Sequence, residues 1–113
     1  MKFNEQEVIF SVHTLMVYEQ EFGSDLIQDF YKTVEIRENE KKEGVIATLD
    51  FRNVNWTALT RVLWAGVKTA NDATPSFKDW AKTTGELNLL ELNNEIVPLV
   101  ERAFFRTSDR TAD

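Results

Sequence analysis

Cysteine is absent from this sequence of 113 residues, histidine occurs once, proline twice and glycine four times. Each scarcity removes a class of chemistry. Without a thiol there can be no disulfide, no thiolate metal ligand and no cysteine nucleophile, and a reducing, cytoplasmic setting is expected. The glycines stand at positions 23, 44, 66 and 85, too far apart to form a phosphate-cradling P-loop or a dinucleotide fingerprint. His13 has no second histidine with which to build a metal site of the HExxH type, so a structural or surface role is expected for it. The acidic runs at Glu19–Glu21 and at Glu38, Glu40 and Glu43 lack the spacing and glycine of a calcium loop and read as solvated faces. Catalytic residues, cofactors and metals are therefore all expected to be none.

Long apolar runs are missing too. No stretch approaches the eighteen or so apolar residues of a bilayer span, and MKFNEQEVIF lacks a signal-peptide core, so neither membrane insertion nor secretion by that route is expected. Positive charge is also scarce. Thirteen Lys and Arg against nineteen Asp and Glu give a net charge of −6. Lys41 and Lys42, the adjacent basic pair, are enclosed by Glu38, Glu40 and Glu43. Binding to phosphate backbones or anionic lipid draws on clustered cations, so neither nucleic acid nor a membrane surface is an expected partner.

What remains is an ordinary globular composition, 42% hydrophobic, at a length that suits one core. The pattern along the chain predicts a mainly α fold with a minor β component: about five helices behind an N-terminal β-hairpin or arm, in a single domain over 1–107 followed by a polar tail at 108–113. In residues 1–12, Val8, Phe10 and Val12 alternate, with Asn4–Glu7 as the turn. Leu15, Tyr18 and Phe22 mark one face of a first helix that Gly23 should cap. Ser24 or Asp25 can start a second helix carrying Leu26, Ile27, Phe30, Tyr31 and Val34. A charged connection over 35–44 follows, then an alternating stretch, Val45 to Phe51, that suggests a short strand.

Asn53 or Asn55 can cap a third, central helix ending near Ala70, with Trp56, Leu59, Leu63, Val67 and Ala70 as its stripe. Gly66 beside that stripe should admit a neighbouring helix. Asn71–Pro75 reads as a turn, and Ser76 with Asp79 opens a short helix carrying Phe77, Trp80 and Ala81 that Gly85 ends. Leu87, Leu89, Leu90 and Leu92 form a leucine-rich connection, and Asn93 or Asn94 caps the last helix, where Pro98 must occupy the first turn or kink it.

Three Trp and eight Phe are more than a minimal helical core requires. Trp64 lies off the third helix's stripe, and Phe105 has Glu101 and Arg102 as same-face neighbours. Exposed aromatics ringed by polar side chains are candidate interface anchors; packing against the arm or the connections is the alternative. Trp64, Phe77, Trp80, Phe104 and Phe105 are the interface candidates.

The order of these features resembles the tail assembly chaperones of long-tailed bacteriophages and prophages. The resemblance covers residues 1–107: the β-arm, then HTLMVYEQEFGSDLIQDFYK, NWTALTRVLWAGVKTAND and PSFKDWAKTTGEL, then a C-terminal helix. The alternating stretch 45–51 departs from that pattern, in which a loop is expected. The resemblance implies a non-enzymatic protein of the bacterial host cytoplasm during phage assembly. It would bind the tape measure protein, aid assembly of the tail tube protein, and could exist in a longer frameshifted form. A homo-oligomer is also compatible with apolar residues on several sides of the third helix. Two other readings fit the same residues: a regulatory module that sequesters a transcription factor or an enzyme, and a carboxylate-based enzyme, which would need two acids converging in a deep pocket.

Overall fold

Two successive residues with positive φ, Asn4 (53°) and Glu5 (66°), turn the chain back on itself as the tight hairpins favoured by strand twist require. The computed structural model describes residues 2–32 and 55–105. Its elements in chain order are β1 (Lys2–Phe3), β2 (Gln6–Glu7), α1 (Val12–Phe22), α2 (26–32), α3 (Trp56–Ala70), α4 (Phe77–Thr84) and α5 (Leu89–Phe104). β1 and β2 pair antiparallel, Lys2 opposite Glu7 and Phe3 opposite Gln6. The expected architecture, helices behind an N-terminal hairpin, is thus the one observed. The hairpin is tighter than expected, however. Its turn is Asn4–Glu5 alone, with Gln6 and Glu7 already in β2, and the Val8–Phe10–Val12 alternation belongs to no strand: Val12 opens α1.

Local signals set most helix ends. α1 starts where the Ser11 backbone N–H donates to Thr14 Oγ1 (2.9 Å), and it stops at Gly23 in the left-handed region (φ 69°), where a side chain would be strained. Of the two candidate caps for α2, Asp25 is used: its Oδ1 accepts from the N–H of Ile27 at 2.7 Å. Asn55 caps α3 by accepting from Ala58 N–H (3.0 Å), and the helix ends at Ala70. Ser76 accepts from Asp79 N–H (3.4 Å) at the start of α4. A second acceptor there, Glu21 Oε2 on α1, takes the N–H of Phe77 at 2.9 Å.

The last helix begins earlier than expected. Asn88, whose Oδ1 accepts from Glu91 N–H (3.0 Å), is the cap, so Leu89, Leu90 and Leu92 are helical and not a connection. Asn93 and Asn94 lie inside the helix, and Pro98 lies in its interior, well past the first turn. The earlier start prevails because it continues the helical period of the buried residues Leu92, Ile96, Val97 and Val100. Asn93 is carried into the interior with them, its amide donating to Asn94 Oδ1 at 3.3 Å.

α3 is the centre of the packing. Eight of its fifteen residues are buried, spread around the helix and not confined to one stripe. One side is closed by the arm. A Cβ at Gly66 would come within 2.7 Å of Val8 Cγ1 and 2.8 Å of Phe10 Cζ, and Ile9 N–H donates to the Gly66 carbonyl at 3.1 Å. The close neighbour that Gly66 admits is thus the extended arm and not a helix. Thr14 and Thr69 hydroxyls share a hydrogen bond at 2.8 Å, which ties the start of α1 to α3. The expectations for Val34, Asn53, the 35–44 connection, the 45–51 strand and the tail beyond 107 fall outside the described residues.

Candidate protein-binding surface

The aromatic residues divide into an interior group and an outer group. Tyr18, Phe22, Trp64, Phe77 and Trp80 form a chain of ring contacts across α1, α3 and α4. Centroids lie 4.7 Å apart for Tyr18–Phe22, 5.5 Å for Phe22–Trp64, 5.2 Å for Phe22–Phe77 and 6.0 Å for Phe77–Trp80. All four pairs are tilted or edge-on, the arrangement ring quadrupoles favour. Arg61 lies over the Phe22 ring at 4.9 Å, a cation placed on the π face.

Two of the interface candidates are corrected by this arrangement. Trp64 is 1% exposed, and its indole N–H donates to the Pro75 carbonyl at 2.9 Å. Trp80 is buried, and its indole N–H donates to Gln6 Oε1 at 2.8 Å. Neither ring is available to a partner in this arrangement. Trp64 is buried although it lies off the α3 stripe, because α4 and the 71–75 turn cover that side. Lys68 fixes the same turn from below, donating to the carbonyls of Asp72 (3.0 Å) and Thr74 (2.8 Å). Phe77 and Phe104 are half-buried against the core. Phe105 alone among the candidates is exposed, at 40%, and it stacks nearly parallel (16°) on the buried ring of Phe30, 6.0 Å away.

A polar cluster closes the junction of α1 and α2. Tyr18 and Ser24 hydroxyls both donate to Asp29 Oδ2 at 2.8 Å. Burial, reinforced by the hydrogen bond and the charge of Asp29, pushes the Tyr18 hydroxyl well above the usual phenol range. The group holds its proton and ties the two helices together. Beside the hairpin turn lies an open groove of about 590 Å³ lined by Asn4, Gln6, Asn71, Thr74, Trp80 and Thr83, with Glu5 its one carboxylate. Among the described residues no group of three His, Asp or Glu side chains is placed to hold a metal, and no helix is long and apolar enough to cross a membrane.

The surface contains apolar residues that the sequence reading did not single out. Val12 is 73% exposed, Met16 54% and Ile9 45%. Val12 and Met16 are spaced i, i+4 and therefore share one face of α1, opposite the face that buries Thr14, Val17 and Tyr18. Their spacing is visible in the sequence, but the Leu15–Tyr18–Phe22 stripe gives α1 its core face, and the helical period alone does not say whether the other side is covered. Tyr31 on α2 and Leu89 and Leu90 at the start of α5 are also exposed. No family model, curated protein or solved structure matches this chain.

Proposed function

We propose that this chain is a non-enzymatic protein-binding domain of the phage tail assembly chaperone type, which keeps a long helical tape measure protein soluble and aids tail tube assembly. What supports the reading most is the coexistence of a filled interior with large apolar side chains left outside. The five-ring cluster and the α3 core already occupy the inside, and among the described residues Ile9, Val12 and Met16 stay outside it. Single exposed apolar residues are ordinary on any protein. Val12 and Met16, one turn apart on one face of α1, form the kind of apolar surface that marks a protein contact. The order of arm and helices that resembles the chaperone family supplies the class of partner, and the surplus acidic charge would keep such a surface from self-aggregating.

The test is co-expression with the longest helical protein encoded beside this one, followed by size exclusion with light scattering. Co-elution with rescue of the neighbour's solubility is the expected result. Clean separation, with the neighbour still insoluble, would overturn the chaperone reading in favour of a regulatory binding module.

A further inference from the structure

We infer that the outward face of α1 docks a cationic amphipathic helix of another protein, one whose apolar ridge is flanked by Lys or Arg. The inference rests on the protein-binding reading above and adds to it the surface used and the chemistry of the partner. Its first support is the ridge itself. Val12, at 73%, is the most exposed large apolar residue among those described; Met16 follows one turn later and Ile9 precedes them. The ridge is held in place before any partner arrives. The Ser11–Thr14 cap fixes its start, the Thr14–Thr69 bond ties it to the central helix, and the left-handed Gly23 fixes its end. Little ordering is left to oppose binding.

The second support is charge. Over Val12–Phe22, α1 carries two carboxylates, Glu19 and Glu21, and no Lys or Arg. Two cations of α3 lie elsewhere: Arg61 is spent on the Phe22 ring on the inner side of α1, and Lys68 on the carbonyls of the 71–75 turn. On α1 itself, Glu19 lies next to the Val12–Met16 line and is exposed, with His13 on the other flank. A helix laid along the ridge would bury its apolar stripe on Val12 and Met16 and bring a flanking residue beside the exposed Glu19, which favours Lys and Arg there and disfavours Asp and Glu. A second copy of this chain, itself at −6, would present like charge to like and is the poorer occupant.

The experiment titrates the full chain into two labelled amphipathic helical peptides of identical pattern, one Leu/Lys and one Leu/Glu, read by fluorescence anisotropy. The double variant Val12→Ser, Met16→Gln serves as the test and Leu90→Ser, on α5, as the control. We expect saturable binding of the Leu/Lys peptide, weaker by roughly tenfold or more in the double variant, as loss of interface anchors implies, and unchanged in the control. All three proteins should stay folded, with melting temperatures within about 8 °C of one another. Equal binding by the double variant, equal binding of the Leu/Glu peptide, or no saturable binding would each overturn the proposal. So would a concentration-dependent dimer that the double variant abolishes, since the occupant would then be a second copy. Failure here is separable from failure of the chaperone reading. If the tape-measure-type neighbour co-elutes equally with wild type and double variant, the chaperone stands and this surface is wrong. If the Leu/Lys peptide binds as expected and the neighbour does not co-elute, the surface stands and the chaperone reading falls.

Discussion

α1 and α3 are both amphipathic by sequence, yet off-stripe apolar residues have opposite fates in the two. On α3, Trp64 departs from the stripe and is buried at 1% exposure, because the arm, α1, α4 and α5 surround that helix. On α1, Val12 and Met16 depart from the stripe and stay outside, because among the described residues α1 is covered on one side only: three of its eleven residues are buried, against eight of fifteen in α3. An apolar residue off the stripe thus signals a second covering element on one helix and a candidate docking surface on the other. Nothing within the helix itself distinguishes them.

The comparison can be broken most directly at Trp64. Trp64→Ala should destabilise the fold by about 3–5 kcal/mol, the range for emptying a buried aromatic site, whereas an exposed anchor would leave denaturant midpoints nearly unchanged. Chemical denaturation decides between them. Gly66→Ala tests the cover on the next face of α3. The added methyl meets Val8 and Phe10 at 2.7–2.9 Å, so a loss of about 1–3 kcal/mol is expected from overpacking. Faster amide exchange at Ile9, whose N–H bonds the Gly66 carbonyl, should accompany it. If the loss appears without change at Ile9, the arm is not the neighbour that the missing side chain accommodates.

A smaller effect of opposite sign is expected in the hairpin. Glu5 holds φ 66°, a region that penalises a β-carbon, so Glu5→Gly should raise stability by about 0.5–1 kcal/mol, the larger freedom of glycine in the unfolded chain taking back part of the gain. Thermal melts would read it as a modest upward shift. The smallest change belongs to the other side of the comparison: Val12→Ser and Met16→Gln should each move stability by no more than about 0.5 kcal/mol. A loss above about 1 kcal/mol from either would mark α1's outward face as covered and remove the contrast with α3.

Legibility followed the range of the interactions. Gly23, Ser76 and Gly85 were readable as helix boundaries, and Asn55 as one of two candidate caps, because capping is settled within four residues of chain. The start of α5 was not, since Asn88, Asn93 and Asn94 are all competent caps and local chemistry does not choose among them. Burial of Leu92, Ile96 and Val97 against α3 chose Asn88 and drew Asn93 inside. Among the interface candidates, aromatic type was legible and exposure was not. Phe105 kept an exposed edge, Phe77 and Phe104 are half-buried, and Trp64 and Trp80 went inside.

The sequence by itself determined the helical class, the hairpin at the start, the principal caps and the core faces of α1 and α3, because each depends on periodicity and on contacts a few residues apart. Only the tertiary structure decided that Gly66 receives the arm, that Gln6 bonds Trp80 across 74 positions and Glu21 caps α4 across 56, and that Val12 and Met16 are left facing out. Burial is set by whatever a distant segment brings to the opposite side, and a helical period records which residues share a face without recording what lies against it.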